Sequence, residues 1–206
     1  YRLAYALVGH YRGGLAMSTI GGCAGFGAVC GSSVATAATM TRVALPEMLG
    51  RGYQPTLATG CIAAGGTLGM LIPPSVIMVL YAVLTEQFVI SLFIAAIIPG
   101  AIAVALHFIA IFIYVRAYPE AGPAGPKMPW PERWKVFGQS WRVLVLAIVV
   151  SGGIYGGVFT VAEAAAIGAC LSFFFTWQSG RLTKAVLWQV LSESAANTGL
   201  IYLIII

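Results

Sequence analysis

The sequence reads Gly65-Gly66-Thr67-Leu68-Gly69-Met70-Leu71-Ile72-Pro73-Pro74-Ser75 in the middle of a long apolar run. Two successive prolines remove two backbone donors, and each disfavours the α conformation at the residue before it. Carbonyls one turn earlier then lose their hydrogen-bond partners. The stretch predicts a broken helix over about residues 56–84, with a simple proline kink in an ordinary span as the alternative.

The composition around this stretch predicts a membrane protein. Hydrophobic residues make up 60% of the 206 residues and charged residues only 8%, with a mean hydropathy of +0.93. Segments 13–41, 52–85 and 87–115 contain no Lys, Arg, Asp or Glu. Each exceeds the roughly 18 residues that mark a transmembrane candidate, so most of the chain is expected to lie in lipid. A water-soluble domain is excluded.

A second interruption is predicted within residues 13–41. Arg12 and Arg42 flank this segment, which is shorter than the roughly 40 residues that two full crossings require. It should therefore enter and leave on the same side, as a re-entrant helical hairpin. The expected tip is Gly25-Phe26-Gly27-Ala28-Val29-Cys30-Gly31-Ser32-Ser33. Non-helical backbone survives at membrane depth only where protein buries it or a polar cavity adjoins it.

The basic residues predict the orientation and the division of the chain. They fall in the connections, which the positive-inside rule assigns to the cytoplasm. Residues 1–115 are predicted to form a first transport region, and 116–142 a cytoplasmic proline-rich linker with Trp130 and Trp134 at the membrane interface. Residues 143–206 are predicted to hold further membrane helices and to be truncated at the C-terminus. Four crossings are expected, at 52–84, 90–115, 143–159 and 164–177.

Both interruptions offer neutral oxygens that could hold a monovalent cation. A broken helix exposes carbonyls at one half-helix end, while the N-terminus of the other half attracts an anion. The alternative is that the small residues serve close helix packing. The candidate residues for binding the cation and the substrate are Gly31, Ser32, Ser33, Thr36, Gly65, Gly66, Thr67, Pro73, Pro74 and Ser75.

Other polar residues point to structure rather than to chemistry. Glu163 follows Thr160 by three residues, as in a capping box, although an ion or proton role stays open. His107 stands alone in an apolar helix and favours packing. The chain has no Asp and only two His, so catalysis is not expected, and the scattered basic residues do not indicate nucleic-acid binding.

Several short motifs follow one another along nearly the whole chain. They include Val8-Gly9-His10, Gly31-Ser32-Ser33-Val34-Ala35-Thr36, Ala44-Leu45-Pro46-Glu47-Met48, Ala64-Gly65-Gly66-Thr67-Leu68-Gly69, Ile72-Pro73-Pro74-Ser75 and Gly157-Val158-Phe159-Thr160. This ordered set resembles the large membrane subunit (DctM-like) of tripartite ATP-independent periplasmic (TRAP) transporters.

The resemblance implies a multi-span, all-helical permease of the bacterial inner membrane, built from inverted repeats and moving as an elevator. Such permeases co-transport sodium with C4-dicarboxylates, other carboxylates or sialic acid. A periplasmic binding protein delivers the substrate, and a small membrane subunit, separate or fused, completes the complex. By this resemblance the present chain is a fragment that lacks the first spans and the second hairpin.

These observations lead to one functional hypothesis and one alternative. The hypothesis is sodium-coupled secondary active import of a small organic anion, with Na⁺ as the coupling ion and membrane lipid as the surroundings. The alternative is a channel-like or scaffold membrane subunit without a coupling ion.

Overall fold

The computed structural model describes residues 2–127 and 129–205. Within them ten α-helices follow one another, with a short 3-10 helix at Pro119–Ala121 between the sixth and the seventh. The helices are α1 (Arg2–Val8), α2 (Gly14–Cys30), α3 (Ser33–Gly50), α4 (Pro55–Leu71), α5 (Val76–Leu84), α6 (Val89–Ala117), α7 (Trp130–Gln139), α8 (Trp141–Tyr155), α9 (Val161–Gln178) and α10 (Lys184–Ile205). The described residues contain no strand, and the prediction of an all-α membrane permease is confirmed.

The long apolar helices coincide with the predicted crossings. By length and composition α6 and α9 are able to cross a bilayer, and up to four spans exist among the described residues if each bent helix pair counts as one. One such pair is α4 with α5, bent by 42° at residues 72–75. The other is α7 with α8, bent by 56°. The predicted discontinuous helix at about 56–84 is therefore present, at 55–84.

Helices α2 and α3 form a hairpin that packs on α4. They are joined by Gly31 and Ser32, and farther back the Thr19 hydroxyl lies 3.5 Å from the Met48 sulfur. The two helices are therefore antiparallel. The Cys61 sulfur of α4 also lies 3.9 Å from the Met48 sulfur of α3. Helix α4 is therefore antiparallel to α3 and parallel to α2. Three helices thus share one core.

The hairpin is longer and its turn is tighter than the sequence predicted. The expected tip at 25–33 is helical as far as Cys30, and only Gly31 and Ser32 interrupt the helices. The hairpin helices also extend to Gly50, past the predicted limit at residue 41. Pro46 lies inside α3, but Ala44 and Met48 on either side are fully buried. Their packing outweighs the roughly 3 kcal/mol that an interior proline costs.

The predicted linker contributes to the first core rather than standing apart from it. Beyond α6, the carbonyls of Ala121 and Gly122 accept hydrogen bonds from the backbone N–H groups of Gln54 and Gly13, at 3.0 and 2.9 Å. The N–H of Gly125 donates to the Gly9 carbonyl at 3.1 Å. The ends of α1 and α6 and the starts of α2 and α4 therefore meet. The later part of the linker is helical, as α7.

A smaller core and a capping box complete the first part of the chain. Phe93 of α6 is fully buried against Val150 and Ile154 of α8. At the start of α9, the Thr160 N–H and hydroxyl both donate to the Glu163 carboxylate at 2.8 Å. The Glu163 N–H donates back to the Thr160 hydroxyl at 3.3 Å. The predicted capping box is confirmed.

Two compact units divide the chain inside α9. The first is Tyr1–Ala164 and the second is Ala165–Ile206, which comprises the rest of α9 and α10. The sequence placed its boundary in 116–142 instead, and the functional meaning of that boundary stays a prediction. In α10 the helix that begins at Lys184 continues into the final apolar run as one element.

Tyr53 provides a test of the first core. Its buried hydroxyl accepts a hydrogen bond of 3.1 Å from the Leu15 N–H, in the first turn of α2. We expect Tyr53→Phe to lower the free energy of unfolding by about 1–3 kcal/mol, because the buried N–H loses its acceptor. Unfolding of the purified permease in detergent measures the change. The exposed Tyr81→Phe is the control, and equal stability of both variants would contradict the role of Tyr53.

Candidate functional site at the meeting of two interrupted helices

The two helix interruptions contact each other. The carbonyl oxygen of Gly31, at the hairpin turn, accepts a hydrogen bond of 3.2 Å from the N–H of Val76, which begins α5. Gly31 has a φ of +66°, and a Cβ added there would lie 2.8 Å from the Pro74 carbonyl oxygen. Only glycine fits this position without strain. The interruptions at Gly31–Ser32 and Ile72–Ser75 thus form one site, which we call the junction.

Four helix ends meet at the junction. α2 and α4 end there with their C-termini, at Cys30 and Leu71, while α3 and α5 begin there, at Ser33 and Val76. A helix C-terminus carries a partial negative charge and an N-terminus a partial positive charge, each about half an elementary charge. The junction therefore combines ends that favour a cation with ends that favour an anion.

Hydroxyl groups organise the backbone at the junction. The Ser32 hydroxyl accepts a hydrogen bond from the Ala35 N–H at 3.4 Å and so caps α3. The buried Thr36 hydroxyl donates to the Ser32 carbonyl at 2.7 Å. On the other side, the buried Ser75 hydroxyl donates to the Met70 carbonyl at 2.7 Å. These bonds hold both interruptions in fixed shapes.

Three carbonyl oxygens at the break between α4 and α5 have no hydrogen bond from any described residue. They belong to Ile72, Pro73 and Pro74. In a continuous helix the N–H of Val76 would bond to the Ile72 carbonyl, but here it bonds to Gly31. The peptide between the two prolines is cis. The junction therefore offers uncharged main-chain oxygens that an ion could accept as ligands.

The structure brings most, but not all, of the predicted site residues to the junction. Gly31, Ser32, Pro73, Pro74 and Ser75 belong to it, Ser33 follows as the first residue of α3, and Thr36 lies one turn farther along α3. Gly65 and Gly66 instead lie where helices pack closely. A Cβ added to Gly65 would lie 2.8 Å from the Cys23 sulfur, and one added to Gly66 would lie 2.8 Å from the Ala37 side chain. Thr67 faces outward, with its hydroxyl bonded to the Ala64 carbonyl at 2.7 Å.

Gly27 and Gly69 are important positions that the predicted site omitted. A Cβ at Gly69 would lie 2.6 Å from the Thr36 hydroxyl and 2.8 Å from the Ser32 carbonyl, and one at Gly27 would lie 2.6 Å from the Gly69 backbone. The missing side chains let the hairpin turn approach the break in α4. The spacing of Gly65, Gly66 and Gly69 along one helix was the available signal, since small residues at such intervals mark close packing.

A separate cavity of about 420 Å³ lies away from the junction, between α2, α4 and α6. Its lining is mostly apolar, with polar groups from Thr56, Cys61, His107 and Tyr114. A ring nitrogen of His107 lies 2.6 Å from the Ala103 carbonyl of its own helix, which agrees with a packing role. The junction, not this cavity, collects the interrupted backbone, and we take the junction as the candidate site.

Sequence comparison finds relatives of this chain among transporter permeases. The chain is 40% identical to the C4-dicarboxylate TRAP transporter large permease protein DctM of Vibrio cholerae, over 84% of this chain and 38% of that protein. It is 38% identical to the Pseudomonas aeruginosa protein of the same name, over 98% and 47%. It is 36% identical to the ectoine/5-hydroxyectoine TRAP transporter large permease protein UehC of Ruegeria pomeroyi, over 97% and 46%.

The chain spans less than half the length of these relatives. The sequence profile of the family described as "Tripartite ATP-independent periplasmic transporter, DctM component" matches residues 1–206, the whole of the chain. The resemblance stated from the motifs is thereby confirmed, and this chain belongs to the DctM-component family of TRAP transporters.

Proposed function

We propose that the permease containing this chain imports a small organic anion by symport with sodium, and that the junction supplies part of the coupling-ion site. The observation that carries the proposal is the contact between two helix interruptions, Gly31–Ser32 and Ile72–Ser75. Backbone in a membrane normally satisfies its own hydrogen bonds, so the unpaired carbonyls where the two breaks meet support the proposal that a ligand binds there.

The chemistry of the junction favours a monovalent cation. Its available oxygens are neutral carbonyls and hydroxyls, and no acidic side chain belongs to it among the described residues. The ends of α2 and α4 add partial negative charge without a full charge. Such a site can attract Na⁺ and still release it, as repeated transport requires. We assign the Ser32 hydroxyl and the carbonyls of Ile72, Pro73 and Pro74 as candidate ligands.

Two helix N-termini at the same junction support the proposal of an anionic substrate. The N-termini of α3 and α5 begin at Ser33 and Val76, and helix N-termini at interrupted spans attract anionic groups. The relatives named above carry the names of C4-dicarboxylate and ectoine transporters, and both compounds contain carboxylate groups. We propose a substrate with at least one carboxylate, in the class of C4-dicarboxylates, other carboxylates or sialic acids.

The rest of the transport machinery is proposed from the family. A periplasmic binding protein would deliver the substrate, and a small membrane subunit would join this permease in the bacterial inner membrane. A second set of interrupted helices, from the part of the permease outside residues 1–206, would complete the site. The transport region would then move as an elevator against a scaffold.

Uptake by the complete complex tests the proposal. In proteoliposomes with the binding protein, we expect the substrate to accumulate only under an inward sodium gradient, because Na⁺ entry supplies the driving force. Equilibration of the substrate without accumulation, with or without sodium, would instead support the channel-like alternative and overturn the coupled mechanism.

Ser32→Ala tests the ion site directly. The change removes a junction hydroxyl, and we expect the sodium concentration for half-maximal uptake to rise about tenfold. This rise corresponds to a loss of about 1.4 kcal/mol of binding free energy. Because Ser32 also caps α3, Ser32→Thr should retain the cap and recover much of the sodium affinity. Sodium titration of uptake measures all the variants.

Thr67→Ala is the matched control for Ser32→Ala. Thr67 belonged to the predicted site, but the structure places it on the outward side of α4. We expect its sodium affinity to equal that of the parent. A normal sodium affinity in Ser32→Ala, or a loss in Thr67→Ala as large as in Ser32→Ala, would show that the junction is not the ion site.

Gly69→Ala tests whether close approach is needed for transport. An added methyl group would meet the Thr36 hydroxyl and the Ser32 carbonyl. We expect uptake to fall at least about tenfold, because the added methyl group separates the hairpin from α4. Such overpacking costs about 1–3 kcal/mol. Gly60→Ala, on the same helix, has no atom within 4 Å of the added Cβ and should keep normal uptake. Equal uptake by the two variants would refute the requirement.

A further inference from the structure

The segment between α6 and α8 carries an exposed aromatic surface. Trp130, Trp134 and Phe137 of α7 are 64%, 62% and 47% exposed, and Trp141 at the start of α8 is 46% exposed. The three residues of α7 are spaced four and three apart, which places them on one side of an α-helix. Their rings are in contact: the centroids of Trp130 and Trp134 are 6.3 Å apart, and those of Trp134 and Phe137 are 6.0 Å apart. We call these four residues the aromatic stripe.

Arginine side chains accompany the aromatic stripe. The Arg133 guanidinium lies 5.8 Å from the centre of the Trp130 ring, and that of Arg142 lies 5.8 Å from the Trp141 ring. An arginine stacked on an aromatic face keeps its N–H groups in the ring plane, where they can bind phosphate. The Nε of Arg142 is buried in the protein, so its terminal N–H groups are the ones that a headgroup phosphate would contact.

The surroundings of the stripe identify the partner. Residues 116–142 contain five basic and two acidic residues, and they connect the apolar span α6 to the apolar helix α8. Tryptophan is enriched where hydrocarbon meets headgroups, and basic segments beside a span are attracted to the anionic cytoplasmic leaflet. A soluble protein partner would not explain the position between two membrane helices.

We propose that α7 lies on the membrane surface, with the aromatic stripe in the lipid and with Arg133 and Arg142 binding the phosphates of anionic phospholipids. This inference does not depend on sodium coupling or on the junction. It assigns a lipid-binding surface to the segment that connects α6 to α8. Helix α7 would then move only parallel to the membrane surface.

Brominated lipids test the proposal in the complete permease. Bromine on an acyl chain quenches nearby tryptophan fluorescence, and the contribution of the stripe is the difference between the parent and Trp130→Phe/Trp134→Phe. The protein is placed in vesicles that contain both phosphatidylcholine and phosphatidylglycerol, with the bromine on one lipid or on the other. We expect stripe fluorescence to be quenched by both lipids and more strongly by brominated phosphatidylglycerol.

The role of the arginines has its own variant and control. In Arg133→Gln/Arg142→Gln, we expect the preference for phosphatidylglycerol to fall about fivefold or more, because each basic side chain strengthens attraction to an anionic surface several-fold. Quenching by phosphatidylcholine should persist, which shows that α7 still lies on the membrane. Arg181→Gln/Lys184→Gln removes the same charge from exposed residues elsewhere and should leave the preference unchanged.

Three results would overturn the proposal. Stripe fluorescence that neither lipid quenches would mean that protein, not lipid, covers the stripe. Equal quenching by the two lipids in the parent would remove the anionic preference. A loss of preference as large in the Arg181 and Lys184 variant would show that total charge, rather than Arg133 and Arg142, attracts the lipid.

Discussion

Hydrogen bonding of the backbone inside a membrane is the constraint on which this structure depends. Lipid offers no partners, so a break in a helix must be satisfied by the protein, by water or by a bound ion. The chain contains two such breaks, and the hydrogen bond from the Val76 N–H to the Gly31 carbonyl joins them. That bond satisfies one freed donor at α5 and leaves the Ile72 carbonyl open. The breaks thus depend on each other.

Close helix packing makes this contact possible. α4 lies against both helices of the hairpin, with Gly65 facing Cys23 of α2 and Gly66 facing Ala37 of α3. At Gly69 the packing reaches the junction, beneath Thr36 and Ser32. Glycines in a helix lower its intrinsic stability by about 1 kcal/mol each, so the gain must come from the contacts they allow. Close packing and the proposed ion binding would therefore be two uses of the same stretch rather than competing explanations.

The connecting segment shows a similar combination of roles. Its first part is bound to the helix ends of the core through the carbonyls of Ala121 and Gly122. Its second part, α7, exposes aromatic rings, and the Arg133 guanidinium lies over one of them. If α7 binds lipid as proposed, this segment would couple the helix core to the membrane surface. The proline content led the sequence analysis to predict a linker rather than a helix here. Pro129 and Pro131 lie at the start of α7, where the missing N–H groups cost no helical hydrogen bonds.

The sequence by itself determined the class of the protein, its membrane character, the family, the break at the two prolines and the capping box at Thr160 and Glu163. These are local or compositional features, since proline chemistry and hydrophobic length act within one segment. The tertiary structure alone decided that the hairpin turn meets that break, that Thr67 faces away, and that Gly27 and Gly69 set the approach. Such facts depend on the rotation of one helix against another, which packing fixes and local sequence does not.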